Sequence, residues 1–360
     1  MAATASMCKA FMALIACACL SLIAQSARAS DYLLYLEAQE IFGYSSSLGK
    51  TLSYSINPQS EMQQPSLGFD YLQRVSGDSG DIAVLALQGR ISVMPPQEGA
   101  GYQIEPRPIR QEKNGYTLQP QIFNAWVKFK TPWAYIWVGH DRPAFGLASY
   151  LDSHGLLLET VGMRFGFYDR DWGVGGYHDF SWGNVAASLT TGSGMPLYQG
   201  MPDLPFDSHY MAVSRVSYGV LERDNYNVGF SLGFGKTLET TGYTLMEAEP
   251  FPMQMVGTDL AVLQDNFEHR FELYSGKWFG SNLIALFYRF GVNLDPEARY
   301  KLEAQDMYWE NLGIYDHRPS LCFSYQVTPN FTVRTSYAYD NYSNDNRTLL
   351  QLYYYGPWHL

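Results

Sequence analysis

After residue 29 the chain has one cysteine, Cys322, so an internal disulfide and any metal or haem site built on paired cysteines are excluded. Charge is scarce as well: Asp, Glu, Lys and Arg together make up 16% of the 360 residues. Beyond the N-terminus no apolar run reaches the ~20 residues that a membrane-spanning helix requires. A bilayer can then be crossed only by a closed barrel of strands. Basic surface is lacking too. The net charge is −11, and loss of an N-terminal segment carrying Lys9 and Arg28 but no acid takes it to −13, which argues against nucleic acid as a partner. There is no Gly-x-Ser-x-Gly elbow, and His178, Asp179 and Ser181 fall at a turn with no arranged base or oxyanion hole, so the reading is not that of an enzyme and no cofactor is implied.

What is abundant is strand-forming material. Tyr 28, Phe 20 and Trp 8 make the chain 16% aromatic, and Gly stands at 32. The mean hydropathy is nevertheless −0.20. Both follow if each strand turns one face to lipid and the other to water, so that hydrophobicity averages out along it. The first residues read as a targeting segment: Lys9, an apolar run from Phe11 to Ile23, and Ala27-Arg28-Ala29 before Ser30. Residues 1–29 are therefore taken as a signal peptide and 30–360 as the barrel; a competing reading makes Leu14-Ile15-Ala16-Cys17 a lipobox with Cys17 as a lipid anchor.

Period-two alternation recurs from residue 31 onward. In 226–235, Tyr226, Val228, Phe230, Leu232 and Phe234 oppose Asn227, Gly229, Ser231, Gly233 and Gly235. Strands are expected at 32–44, 67–76, 81–94, 116–131, 133–140, 161–180, 184–192, 209–222, 225–238, 267–279, 283–293, 318–327, 331–340 and 347–355, which is fourteen, within a range of 12 to 16 because 161–180 also reads as a hairpin turning at Asp169-Arg170-Asp171. Short turns such as Thr131-Pro132 and Thr328 to Asn330 separate them, with longer loops at 45–66, 95–115, 141–160, 193–208, 239–266, 294–317 and 341–346. The fold class is all-β, a transmembrane antiparallel barrel. Trp133, Tyr135, Trp137, Trp172, Trp278 and Tyr353 to Tyr355 fall near strand ends, where amphipathic rings favour the headgroup level.

A strand that shows lipid an apolar face must show the pore its polar one, and this places Arg90, Lys128, Arg334 and the mixed set Glu268, Arg270 and Glu272 on the pore lining. Lys128 is read with Asn124, opposite Phe123, Val127 and Phe129. Such charges set ion preference. Several are basic while the chain is acidic, so anion or cation preference stays open. The stretch 139–154 is the least strand-like between strong strands, and either it is an ordinary surface loop or it folds inward as a constriction carrying Arg142, Tyr150, Asp152 and His154. His140, Asp152 and His154 have donor types suited to a metal but read equally as solvated loop groups, so no metal is assigned.

The signal peptide, the aromatic-rich alternating strands, the rhythm of short turns and long loops, and the final strand Leu349-Leu350-Gln351-Leu352-Tyr353-Tyr354-Tyr355 make the chain resemble bacterial outer-membrane porins over nearly all of its length after residue 29. The resemblance is one of pattern, and Gly356-Pro357-Trp358-His359-Leu360 departs from it by following the terminal aromatic run. It implies a protein of the outer membrane, partnered by lipid and by small solutes or ions, with a homo-oligomer as a further partner state. A second class of function is structural: a barrel that sheathes a multihaem cytochrome, which a separate chain must supply because no Cys-x-x-Cys-His is present. A third, a lipid-modifying barrel, requires a Ser/His constellation that is not visible.

Overall fold

A computed structural model describes residues 32–52, 64–77, 80–94, 110–111, 117–149, 155–165, 170–194, 209–241 and 244–358. These residues form one closed antiparallel barrel of sixteen strands. In chain order they are β1 (Tyr32–Ser45), β2 (Ser66–Gly77), β3 (Gly80–Met94), β4 (Thr117–Lys130), β5 (Tyr135–Asp141), β6 (Asp171–Phe180), β7 (Gly183–Thr190) and β8 (Tyr210–Tyr218). The second half comprises β9 (Tyr226–Thr241), β10 (Thr244–Gln264), β11 (Phe267–Trp278), β12 (Ser281–Asn293), β13 (Tyr300–Asn311), β14 (Ile314–His317 continued by Ser320–Thr328), β15 (Phe331–Asp340) and β16 (Asp345–Pro357). Each strand pairs with its sequence neighbours, and β1 closes the ring on β16 in a register running from Tyr35 opposite Pro357 to Ser45 opposite Arg347. Closure removes both sheet edges, as a lipid-exposed sheet requires. Two short pieces, Lys50–Leu52 against β1 and Arg110–Gln111 against β4, add to it at one end.

The chain thus has sixteen strands where fourteen were expected. The two missed strands are β10 and β13, placed by the sequence pattern in the loops 239–266 and 294–317. In β10 the inward residues Phe251, Met253, Met255 and Ala261 are buried and apolar, while Val256 faces out and is exposed. Apolar side chains on both faces erase the alternation that reveals a strand. In β13, Asp306 lies on the outer face, paired with His317 at 2.8 Å, and the buried Met307 and Trp309 lie inside, so its pattern is inverted. The strand expected over 161–180 begins only at Asp171; Val161–Arg164 is a helical turn whose Val161 docks inside the barrel.

Seven links of two to seven residues, the start of β1 and the end of β16 lie at one end of the barrel; β1 and β2, β3 and β4, β5 and β6, and β7 and β8 are joined at the other. At that second end β11 and β12, and β13 and β14, join through two-residue turns, Phe279-Gly280 (φ 53° and 73°) and Leu312-Gly313 (φ 55° and 72°). Positive φ at both central residues matches the twist of a tight hairpin. The outer wall carries exposed apolar residues on every side, among them Leu67, Leu87, Val174, Leu189, Phe230, Leu273, Leu321 and Leu350. Lipid covers such a belt. Near the turn end stand outward aromatic pairs, Phe180 with Trp182 at 5.0 Å, Phe267 with Phe290 at 5.8 Å and Tyr300 with Tyr325 at 4.7 Å. Five rings expected at the headgroup level face inward instead, because their position parity along the strand is that of the interior: Trp137, Trp278 and Tyr353 are buried, Tyr135 stacks on the inward Tyr177, and Tyr355 borders the lumen.

Candidate functional site: an inward segment and the passage beside it

The link between β5 and β6 does not stay at the surface. Its described residues, 142–149 and 155–165, pack on the inner faces of β7 to β14. Phe145 is buried against the edge of Tyr274 at 5.1 Å, over Gly233 and Gly257, where an added Cβ would stand 3.4 and 3.0 Å from its ring. Farther along, Phe165 meets Trp278 and Trp309 edge-on at 5.5 and 6.5 Å. Residues 156–158 are Leu-Leu-Leu, and with Val161 they continue the apolar seam.

The polar backbone of this segment is satisfied by the wall. Ser188 Oγ, Ser231 Oγ and Glu272 Oε1 accept hydrogen bonds from the backbone N–H of Ala144, Gly146 and Leu147 at 3.2, 3.0 and 2.7 Å. Gly146 has φ 59°, and a Cβ there would sit 2.5 Å from Glu272 Oε1 and 2.6 Å from the Tyr274 hydroxyl, so both conformation and space require glycine. On the other side Arg289 Nη2 donates to the Leu158 carbonyl at 3.3 Å, Gln305 Nε2 donates to the Glu159 carbonyl, and Arg318 Nη1 meets Glu159 Oε2 at 2.7 Å. Arg318 is itself clasped by Asp316 and Asp340 at 3.0 and 2.8 Å.

This docking covers one side of the lumen and, among the described residues, leaves two sizeable open regions. The larger is a cavity of about 1090 Å³ on the β2 to β6 side, lined by Lys128, Trp126, Trp137, Arg142, Arg170 and Tyr177 and reaching Glu222 and Arg223 at the turn end. The smaller, about 380 Å³, lies beneath residues 155–158 and is lined by Arg270, Arg289, Lys301 and Arg334 with Glu268 and Glu303. Tyr353 borders both. Charges on the inner wall are arranged in pairs. Lys301 bridges Glu268 and Glu303 at 2.8 and 3.1 Å, Arg270 meets Glu268, and Arg215 holds Asp259 through Nη2 at 2.5 Å and Nε at 3.0 Å.

The expected lining residues Arg90, Lys128, Glu268, Arg270, Glu272 and Arg334 all lie on the inner face, but they divide into two groups. Lys128 borders the larger cavity, and Glu268, Arg270 and Arg334 border the smaller. Arg334 Nη1 donates to Gln351 Oε1 at 2.9 Å, with its guanidinium 5.3 Å from the Tyr353 ring. Glu272 and Arg90 border neither. Glu272 is buried behind the inward segment; Arg90 is buried against Glu37 at 3.9 Å, with Nε donating to Gln121 at 2.6 Å and its guanidinium 4.4 Å from the Phe123 ring.

Phe123 itself corrects the expectation that it opposes Lys128. The pairing of β3 with β4 slips between Gln88 and Gly89, and this bulge turns Phe123 inward beneath Arg90 and Arg170. Of the constriction residues, Arg142 borders the larger cavity, whereas Tyr150, Asp152 and His154 lie outside the described residues. His140 is buried, with Nδ1 3.0 Å from the Phe123 carbonyl oxygen. Sequence reasoning did not name Trp126, Tyr177 or Arg289 as lining residues, placed Trp137 at the headgroup level and put Arg170 in a candidate turn. The alternation within β4 and β6 carried the signal for Trp126 and Tyr177. Parity also carried it for Trp137 and Arg289; Arg170 lies before β6 and is placed by the packing around it.

No protein-family model matches the chain, and no curated protein is similar to it in sequence. Among solved structures it is similar to Salmonella typhi OmpF in complex with daunomycin, with a TM-score of 0.62 and 10% identity over 90% of this chain and 97% of that one. It is also similar to the outer membrane channel DcaP of Acinetobacter baumannii, at 0.57 and 12% over 92% and 98%. Vibrio cholerae OmpT, folded in vitro and in trimer form, gives 0.55 and 13% over 91% and 100%. At these identities the likeness is one of fold: the chain is a closed barrel of the outer-membrane porin type. With its lipid-facing belt, such a barrel resides in the bacterial outer membrane.

Proposed function

We propose that this barrel is a passive channel for small polar solutes or ions, narrowed by the inward segment that follows β5. One observation carries the reading: a charged cavity of about 1090 Å³ persists beside that segment, open along the β2 to β6 wall from Arg142 to the turn-end residues Glu222 and Arg223. Structural packing alone has no use for such a space lined by Lys128, Arg142, Asp141 and Asp179. Rows of charges of both signs hydrate a path and bias the ions that use it. The pore-lining roles fall to Lys128, Glu268, Arg270 and Arg334, with Arg142 at the narrowing. A sheath around a multihaem cytochrome needs a vacant interior, and here residues 142–149 and 155–165 of the chain occupy part of it, which favours the channel. Self-association belongs to the same reading, supported by the trimer form of a structure with this fold.

Planar-bilayer recording of the purified, folded protein tests the function. Discrete, stable current steps in KCl are the expected result, and a salt gradient reads ion preference from the reversal potential. A folded barrel that gives no steps refutes the channel.

A further inference from the structure

We infer that Lys128 and the rings around it form a binding station for ring-bearing carboxylates, of which benzoate is the simplest; the inference rests on the channel reading and names a class of solute for it. Lys128 lies on the inner face of β4 and borders the larger cavity. Its ammonium sits 4.3 Å from the Trp126 ring and 5.4 Å from the Tyr177 ring. Among the described residues no carboxylate lies within 4.0 Å of it, in contrast to Lys301 or Arg215. Asp141 is acted on by Lys128 and also by Arg170 and Arg142, so several cations share it.

The neighbouring wall is built of flat aromatic faces. Tyr177 stacks on Tyr135 at 5.0 Å with planes 17° apart. Trp137 lies across Gly175, where a Cβ would stand 2.6 Å from the indole, so the backbone there is kept bare for the ring. A sugar calls for free planar amides and carboxylates, and nearby such groups are already engaged: Asn124 Nδ2 donates to Gln88 Oε1 at 2.6 Å, and Asn184 Nδ2 donates to Asp179 Oδ1 at 2.5 Å. What the wall offers a solute is a cation that moves on a flexible stem and rings on which another ring can stack. A carboxylate gives Lys128 a charge-assisted hydrogen bond, stronger than the cation–π contact it leaves, while the ring of the solute takes over the vacated faces of Trp126 and Tyr177. Acetate satisfies only the first demand, and cyclohexanecarboxylate meets the second without an aromatic face.

The test uses the full folded barrel in planar bilayers, with KCl current as the baseline and benzoate, cyclohexanecarboxylate and acetate as blockers at equal ionic strength. Benzoate interrupts the current at roughly a tenth of the acetate concentration, with cyclohexanecarboxylate between them. Lys128→Gln raises the half-blocking concentration of benzoate by about tenfold, and Trp126→Leu removes its advantage over cyclohexanecarboxylate. KCl steps that benzoate and acetate disturb equally, or a benzoate block that Lys128→Gln leaves unchanged, overturns the site while the channel stands. Absence of KCl steps overturns the channel instead. Benzoate titration calorimetry on the detergent-folded protein then decides the site by itself: heat that Lys128→Gln abolishes supports it, and no heat from the unmodified protein refutes it.

Discussion

Replacing Phe145 by alanine separates the stability of the barrel from the docking of the segment inside it. Phe145 is 1% exposed, seated on Tyr274, Gly233 and Gly257. Nothing else in the segment fills that space, so truncation leaves a cavity and costs about 3–5 kcal/mol. The cost falls on the equilibrium between docked and released forms of residues 143–149, shifting it by a factor of roughly 10²–10⁴. The strand ladders contain no part of Phe145, so the heat-dependent gel migration of the folded barrel stays unchanged. Residues 156–165 remain anchored through Arg289, Gln305 and Arg318, so release is confined to the front half. Single-channel recording of Phe145→Ala is expected to show added open-channel noise and a larger conductance substate, with Phe145→Leu intermediate. A folded Phe145→Ala barrel with the conductance and noise of the parent protein would refute the claim that this segment narrows the passage.

Two further outcomes follow from other parts of the wall. Phe230 is 49% exposed on the outer face of β9, flanked by Val228 and Leu232, and Phe230→Arg is expected to lower folding stability in lipid vesicles by ~2–4 kcal/mol if that row lies near the bilayer midplane. Denaturant titration of vesicle-folded protein measures this, and an unchanged midpoint would show that the belt is not in lipid. Glu268 pairs with both Arg270 and Lys301, so Glu268→Gln enlarges the excess of positive charge in the smaller cavity. The reversal potential in a KCl gradient should move toward that of chloride; no movement would place that cavity off the ion path.

Much of this architecture is legible in the sequence. Period two in segments such as 226–235 and 331–340 marks strands with two different faces, and strands that turn one face to lipid must close into a ring. The same parity put Lys128, Arg270 and Arg334 on the inner wall, because a residue's face follows from its position along the strand alone. The method fails where the inner face is not wet. β10 and β13 line the part of the lumen that the chain fills with its own residues, so Met253, Met255, Met307 and Trp309 are apolar and the pattern that marks a strand disappears.

Local sequence, then, determined the kind of structure: all-β and lipid-facing in pattern, with the inside and outside of most strands assigned. The tertiary structure alone decided what the inside contains. Strand count depended on two segments whose inner faces turn apolar where residues 142–149 and 155–165 pack against them. Whether Glu272 touches solute or backbone depended on the same docking, and so did the division of the lumen around Tyr353. A bulge of one residue turned Phe123 from the lipid face to the interior. Each of these is set by contacts between residues far apart in the chain, such as Leu147 with Glu272 or Glu159 with Arg318. Periodicity reports the face of a strand; it carries no information about what lies opposite that face.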